Sequence, residues 1–93
     1  MIRSISDRDT LELWQSGKNR RFSSIAKVAL RKLDQIGASV DIDDLRAPPG
    51  NRLEMLKGNR RGQWSIRVND QWRICFRWKD GEAWDVEIVD YHR

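Results

Sequence analysis

Ninety-three residues allow one domain (1–93) with a modest core and leave no room for two independent ones. Lys and Arg number 18 against 14 Asp and Glu, for a net charge of +4, and the sequence pI of about 9.7 favours a polyanion or an acidic partner. One cysteine and one histidine exclude an intrachain disulfide and a metal site of the zinc-finger type. Residues 1–20 hold no long apolar run, so the expectation is a cytoplasmic protein with no signal peptide or membrane segment; no cofactor is expected either.

In chain order, MIRSIS alternates around Ile2 and Ile5 and is predicted as a short strand. SDRDTLELWQSGK has the start and stop signals of a helix over 7–16. Ser6 and Asp9 resemble a capping box, Leu11 and Trp14 share a face, and Gly17 suits the C-terminal cap. After the basic turn Lys18, Arg20, Arg21, the segment FSSIAKVALRKLDQIG repeats Phe22, Ile25, Ala26, Ala29, Leu33 and Ile36 at helical spacing before Gly37. ASVDIDDLRAPPGN reads as a connection with room for one helical turn. From Arg52 the period becomes two, and RLEMLK, GQWSIRV, WRICFRW and AWDVEIVDY read as four strands of an antiparallel meander. The predicted class is α+β, with two N-terminal helices on one face of a twisted, mainly antiparallel sheet.

Paired residues of a hairpin share a sheet face, so the apolar rows fix the register. Val68 opposite Trp72 aligns Ile66 with Ile74 and Trp64 with Phe76 around the loop Asn69-Asp70-Gln71. With Asp80-Gly81-Glu82 as the next loop, Trp78 meets Trp84, Phe76 meets Val86 and Ile74 meets Ile88. One face is then an apolar wall for the helices. The other carries Arg67 beside Arg73, Arg77 beside Asp85, Cys75 beside Glu87, and Val89 near Arg73 with Tyr91 one step further. Asp85 accounts for Arg77. Like charges opposite one another cost up to ~1 kcal/mol, so Arg67 and Arg73 need either an anionic ligand or neutralisation by Glu87 and the final carboxylates.

Residues 51–79 hold eight Lys or Arg (52, 57, 60, 61, 67, 73, 77, 79) against two acids (54, 70). Cations and stacking-capable rings on one open face suit single-stranded RNA, although a run such as Lys57 to Arg61 also suits a solvated loop. The last strand ends in Asp90, Tyr91 and His92, which is either a strand running out in polar residues or a group of side chains able to move a proton.

Residues 45–92, LRAPPGNRLEMLKGNRRGQWSIRVNDQWRICFRWKDGEAWDVEIVDYH, resemble the HigB branch of the RelE/ParE toxin superfamily, the toxins of type II toxin–antitoxin modules. The long blocks around GQWSIR, QWRICF and VEIVDYH carry the resemblance. It implies two helices on a twisted sheet and cleavage of messenger RNA on the ribosome. By matching position, it implies a catalytic surface of Lys57, Arg73, Asp90, Tyr91 and His92. One position departs: some members carry histidine three residues before Lys57, where this chain has Glu54, so no role is carried over there. Arg93 extends one residue past the expected end and is assigned none.

For such a reaction RNA supplies its own nucleophile, the 2′-hydroxyl. The enzyme needs only a base, an acid for the leaving 5′-oxygen and cations around the phosphorane. His92, with a reference pKa near ~6.5, is the candidate base, and Arg73 and Lys57 the candidate cations. Asp90 is left to orient His92 or share in proton transfer, and Tyr91 to stack on a base or position the sugar. Arg67, Arg60 and Arg61 are candidate RNA contacts. The implied partners are a helix-turn-helix, HigA-like antitoxin, the ribosome with its message, and operator DNA through the antitoxin complex, with no membrane. Two alternatives stand: a ParE-like toxin that binds DNA gyrase without cleaving RNA, and a simple RNA-binding module. Neither needs a proton-transfer set.

Overall fold

The computed structural model describes residues 1–91. Helix α1 (Arg8–Ser16) and helix α2 (Ala26–Ala38) are followed by 3-10 turns at Ile42–Arg46 and Pro49–Asn51. Then come strands β1 (Glu54–Met55), β2 (Trp64–Arg67), β3 (Trp72–Lys79) and β4 (Glu82–Asp90). The strands form an antiparallel meander in the order β1-β2-β3-β4. Among the described residues no helix is long and apolar enough to cross a membrane.

Leu13 of α1 and Ala29, Leu33 and Ile36 of α2 are buried against Ile66, Ile74, Phe76, Val86 and Ile88 of the sheet. Full burial of each large aliphatic or aromatic side chain contributes roughly 1.5–3 kcal/mol. Phe22, just ahead of α2, meets the Trp72 ring edge-on at a centroid distance of 5.4 Å. The Arg21 guanidinium lies 5.3 Å from the Trp72 centroid.

Helix α1 occupies the predicted segment, but its cap is Asp7, whose Oδ2 accepts from the Thr10 N–H at 3.0 Å. Ser6 is committed elsewhere, since its N–H donates to the Val86 carbonyl at 3.0 Å. Gly17 ends the helix in the left-handed region (φ 79), where glycine carries no Cβ penalty. The buried face is Thr10 and Leu13, while Leu11 is exposed. The predicted first strand occurs as two parallel bridges, Ile2 with Ala83 and Ile5 with Val86. Thr10 Oγ1 accepts from the Ile88 N–H, so the N-terminal region covers the outer edge of β4 and removes a free sheet edge.

The β2–β3 register is as predicted, with Trp64, Ile66 and Arg67 opposite Phe76, Ile74 and Arg73. Asn69 Oδ1 fixes the loop by accepting from the N–H groups of Gln71 and Trp72 at 2.9 and 2.8 Å. The β3–β4 hairpin differs. Lys79 pairs with Glu82 and Trp78 with Ala83, leaving Asp80 (φ 54) and Gly81 (φ 75) as a two-residue turn. Positive φ at both central residues matches the twist of the flanking strands and favours Asp-Gly. The extra residue is absorbed by a bulge between Cys75 and Arg77 where Asp85 takes φ 53, and beyond it the predicted pairs Cys75–Glu87 and Ile74–Ile88 hold. Ala83 therefore fills the wall position expected of Trp84, and Trp84 is 37% exposed.

Cys75 is fully buried, and burial is the main influence pushing its thiol up from the ordinary value. Thiolate reactivity should therefore be suppressed. Iodoacetamide at pH 8 is expected to label Cys75 at least a hundredfold more slowly in the folded protein than in urea, as followed by mass spectrometry; equal rates would contradict this burial.

Candidate functional site

Residues facing away from the helices surround a cleft of ≈ 410 Å³ formed by Arg52, Glu54, Arg67, Asn69, Asp70, Arg73 and Tyr91. Period-two alternation puts Arg67, Arg73 and Tyr91 on this side, and the β2–β3 loop brings Asn69 and Asp70 to its rim. Strand β1 is confined to two residues, because Arg52 on one side is left-handed (φ 46) and Lys57 on the other leads into the 3-10 turn Gly58–Arg60. That short edge strand, with Glu54 opposite Ser65, carries Glu54 to Arg73.

Arg73 is 7% exposed and tied into the protein. Its Nε donates to Ser65 Oγ at 2.8 Å and its Nη2 to the Arg52 carbonyl at 2.8 Å. Glu54 Oε1 lies 3.7 Å from Nη2, and the guanidinium stands 5.6 Å from the centre of the Tyr91 ring, within cation–π range. The Tyr91 N–H donates to the Gln71 carbonyl at 2.7 Å, which extends the β3–β4 pairing past the end of β4. Arg67 is paired with Asp70 across the loop. The neighbouring arginines are thus balanced by Glu54 and Asp70, whereas the sequence had offered Glu87 and the final carboxylates. Glu87 is engaged by Arg60 at 3.2 Å.

The candidate residues fall into three groups. Arg67, Arg73 and Tyr91 share the cleft. Lys57 and Arg61 are exposed and line a second cleft with Met55, Leu56, Gly58 and Gly62, while Arg60 is held by Glu87 and Gln63. Asp90 pairs with Trp72 and so lies on the opposite sheet face from Tyr91, with its Oδ2 accepting from Gln71 Nε2 at 3.1 Å. His92 lies outside the described residues. Arg77 meets Asp85 at 3.5 Å, as the sequence suggested, although its cross-strand partner is Trp84 and not Asp85.

Sequence reasoning gave Ser65, Arg52 and Asn69 no individual place in the site. The pattern could have given Ser65, as the inward neighbour of Arg73 across β2–β3. Arg52 contributes a main-chain carbonyl, which no side-chain pattern announces. Chemically, the cleft offers a rigid, planar, always-charged fork beneath an aromatic ring, with a second arginine beside it, a combination suited to a phosphodiester flanked by a base.

The family described as RelE-like toxin of type II toxin-antitoxin system HigB matches residues 4–92. Toxin HigB-1 of Vibrio cholerae is 42% identical over 95 residues, covering 100% of this chain and 99% of the relative. Endoribonuclease HigB of Proteus vulgaris is 38% identical over 61 residues, 66% of this chain and 65% of the relative. Among solved structures, the YoeB-YefM complex from Staphylococcus aureus holds a chain that aligns with a TM-score of 0.57 at 16% identity, covering 100% of this chain and 99% of that one. At that identity the likeness shows a common fold.

Proposed function

Because this chain belongs to the RelE-like HigB toxins of type II toxin–antitoxin systems, we propose that it is an endoribonuclease, a single toxin domain that cleaves messenger RNA on the ribosome in the cytoplasm. The observation that carries this reading is the buried, doubly tethered Arg73 guanidinium beside Tyr91 and Arg67. The name of the Proteus vulgaris relative supports the same activity.

The 2′-hydroxyl loses its proton to His92 and attacks the adjacent phosphorus, the P–O bond to the 5′-oxygen breaks as that oxygen takes a proton from solvent water, and a 2′,3′-cyclic phosphate results. Arg73 receives the charge that grows on the non-bridging oxygens; a fixed donor acts without reorganisation at the moment of reaction. Lys57 supplies a second cation from the neighbouring cleft. Tyr91, already stacked on Arg73, offers its ring to a base or its hydroxyl to the sugar. Asp90, on the reverse face, supports the terminal segment through Gln71. Arg67 and Arg61 hold the flanking phosphates, and Arg60 contributes once released from Glu87. With nucleophile and charge stabilisation both supplied this way, the reaction needs no metal ion. The partner is an antitoxin, with a helix-turn-helix protein of the HigA type as the specific proposal, through which the pair reaches operator DNA.

Translating ribosomes programmed with a defined message provide the test, with and without a co-expressed neighbouring antitoxin. Cleavage within the ribosome-bound message, ends carrying 2′,3′-cyclic phosphate, and suppression by the antitoxin are expected. A 5′-phosphate on the downstream fragment would sink the mechanism. Gyrase-dependent DNA breaks with intact message would favour the non-nucleolytic reading.

A further inference from the structure

Helix α2 turns one cationic side chain inward. Lys32 is 8% exposed, on the helix face that also buries Ala29, Leu33 and Ile36, and its ammonium donates to Asn51 Oδ1. Asn51 is fully buried. Its Nδ2 lies within hydrogen-bonding distance of the Leu45 and Ala47 carbonyls, at 3.1 and 3.2 Å, and of Gln35 Oε1 at 3.1 Å. Desolvation, followed by the nearby Arg31 charge, holds the Lys32 pKa below its ordinary value, so the ammonium is kept in the interior at a cost. An apolar side chain would fill that position more cheaply.

The residue after Asn51 gives the pair a purpose. Arg52 adopts φ 46 and ψ 54, a conformation in which a non-glycine residue is held by its surroundings. Its N–H donates to the Pro49 carbonyl at 3.1 Å, and the Asn51 N–H to the Pro48 carbonyl at 2.9 Å. In this pose the Arg52 carbonyl accepts from Arg73 Nη2 at 2.8 Å. From within the sheet Ser65 holds Nε through its hydroxyl and Nη2 through its carbonyl at 3.4 Å, but the shorter bond to Nη2, at 2.8 Å, comes from a loop, and that loop is pinned to α2 through Asn51 and Lys32.

We propose that Lys32 and Asn51 are positioning residues for Arg73: by locking the Pro49–Arg52 turn onto α2 they hold the Arg52 carbonyl where it orients the guanidinium. The inference rests on the reading that Arg73 acts on RNA phosphate. Misplacing such a group by about 1 Å can cost up to ~10²-fold in rate.

The test is rotation of the Arg73 guanidinium about Nε–Cζ, followed by nitrogen-15 NMR in the full chain without RNA, for the parent, Lys32→Met, Asn51→Ala and the surface control Arg3→Ala. Rotation in the two interior variants is expected to quicken about tenfold or more, with single-turnover cleavage of ribosome-bound message falling roughly tenfold, message binding unchanged and the control like the parent. Lys32→Met exchanges a poorly solvated ammonium for an apolar chain of similar length and should fold, so it decides alone if Asn51→Ala does not. Folded variants with parental rotation, or with quickened rotation and parental cleavage, overturn the proposal. Quickened rotation in a protein whose parent cleaves no RNA leaves the positioning intact and removes the proposed function.

Discussion

Arg73→Lys should lower single-turnover cleavage of ribosome-bound message by roughly 10²–10⁴-fold, the range for loss of a transition-state donor or a proton-transfer group. Lysine keeps the charge but not the planar fork, so it cannot hold Ser65 Oγ and the Arg52 carbonyl together while facing the phosphate. Arg73→Ala should be as inactive and also less stable by about 1–3 kcal/mol, because buried acceptors lose their donor. From the sequence, a residue off the apolar wall would leave the fold untouched on removal; its 7% exposure revises that. Arg77→Ala should keep full activity, since its partner is Asp85 on the bulge. Rates come from quenched-flow sampling, with urea unfolding as the control for stability. A folded Arg73→Lys protein within threefold of the parent would remove Arg73 from the chemistry.

His92→Ala carries the second large effect. A general base contributes about 10²–10⁴-fold, and an imidazole with a reference pKa near ~6.5 is mostly unprotonated at neutral pH. The parent rate is therefore expected to climb between about pH 5.5 and 7.5, and the variant to lose both the rate and the climb. Asp90→Asn should cost about tenfold or less, because asparagine still accepts from Gln71 and the residue sits on the Trp72 side of the sheet. A His92→Ala protein that cleaves at the parental rate with an unchanged pH profile would assign the proton to another group.

The two helices, the four strands and the β2–β3 register follow from local pattern. Helical and strand periods are properties of neighbouring residues, and a slip of one position would have put Ile66 opposite Arg73. The same period-two rule gathers Arg67, Arg73 and Tyr91 on one face. It also places Asp90 on the other, away from Tyr91. The β3–β4 turn was legible in Asp80-Gly81, a strong two-residue hairpin signal, but alignment of the tryptophans argued for a longer loop. The structure prefers the turn and repairs the register with a bulge at Asp85, which exposes Trp84 and buries Ala83.

Amino-acid order alone thus determined which side chains share a face everywhere but at the start of β4, where the bulge at Asp85 exchanges Ala83 for Trp84, because alternation and helical spacing act over a few residues and need no partner. Only the tertiary structure decided what those side chains meet. Glu54 and the Arg52 carbonyl reach Arg73 from about twenty residues away, across the β1 edge and a left-handed turn, and Lys32 reaches Asn51 across the loop after α2. Such contacts depend on how separate elements pack, and they convert Arg73 from an exposed charge in a pattern into a buried, oriented guanidinium. The physical reason is desolvation: once packing removes water from a charged group, its position is set by the fixed acceptors around it.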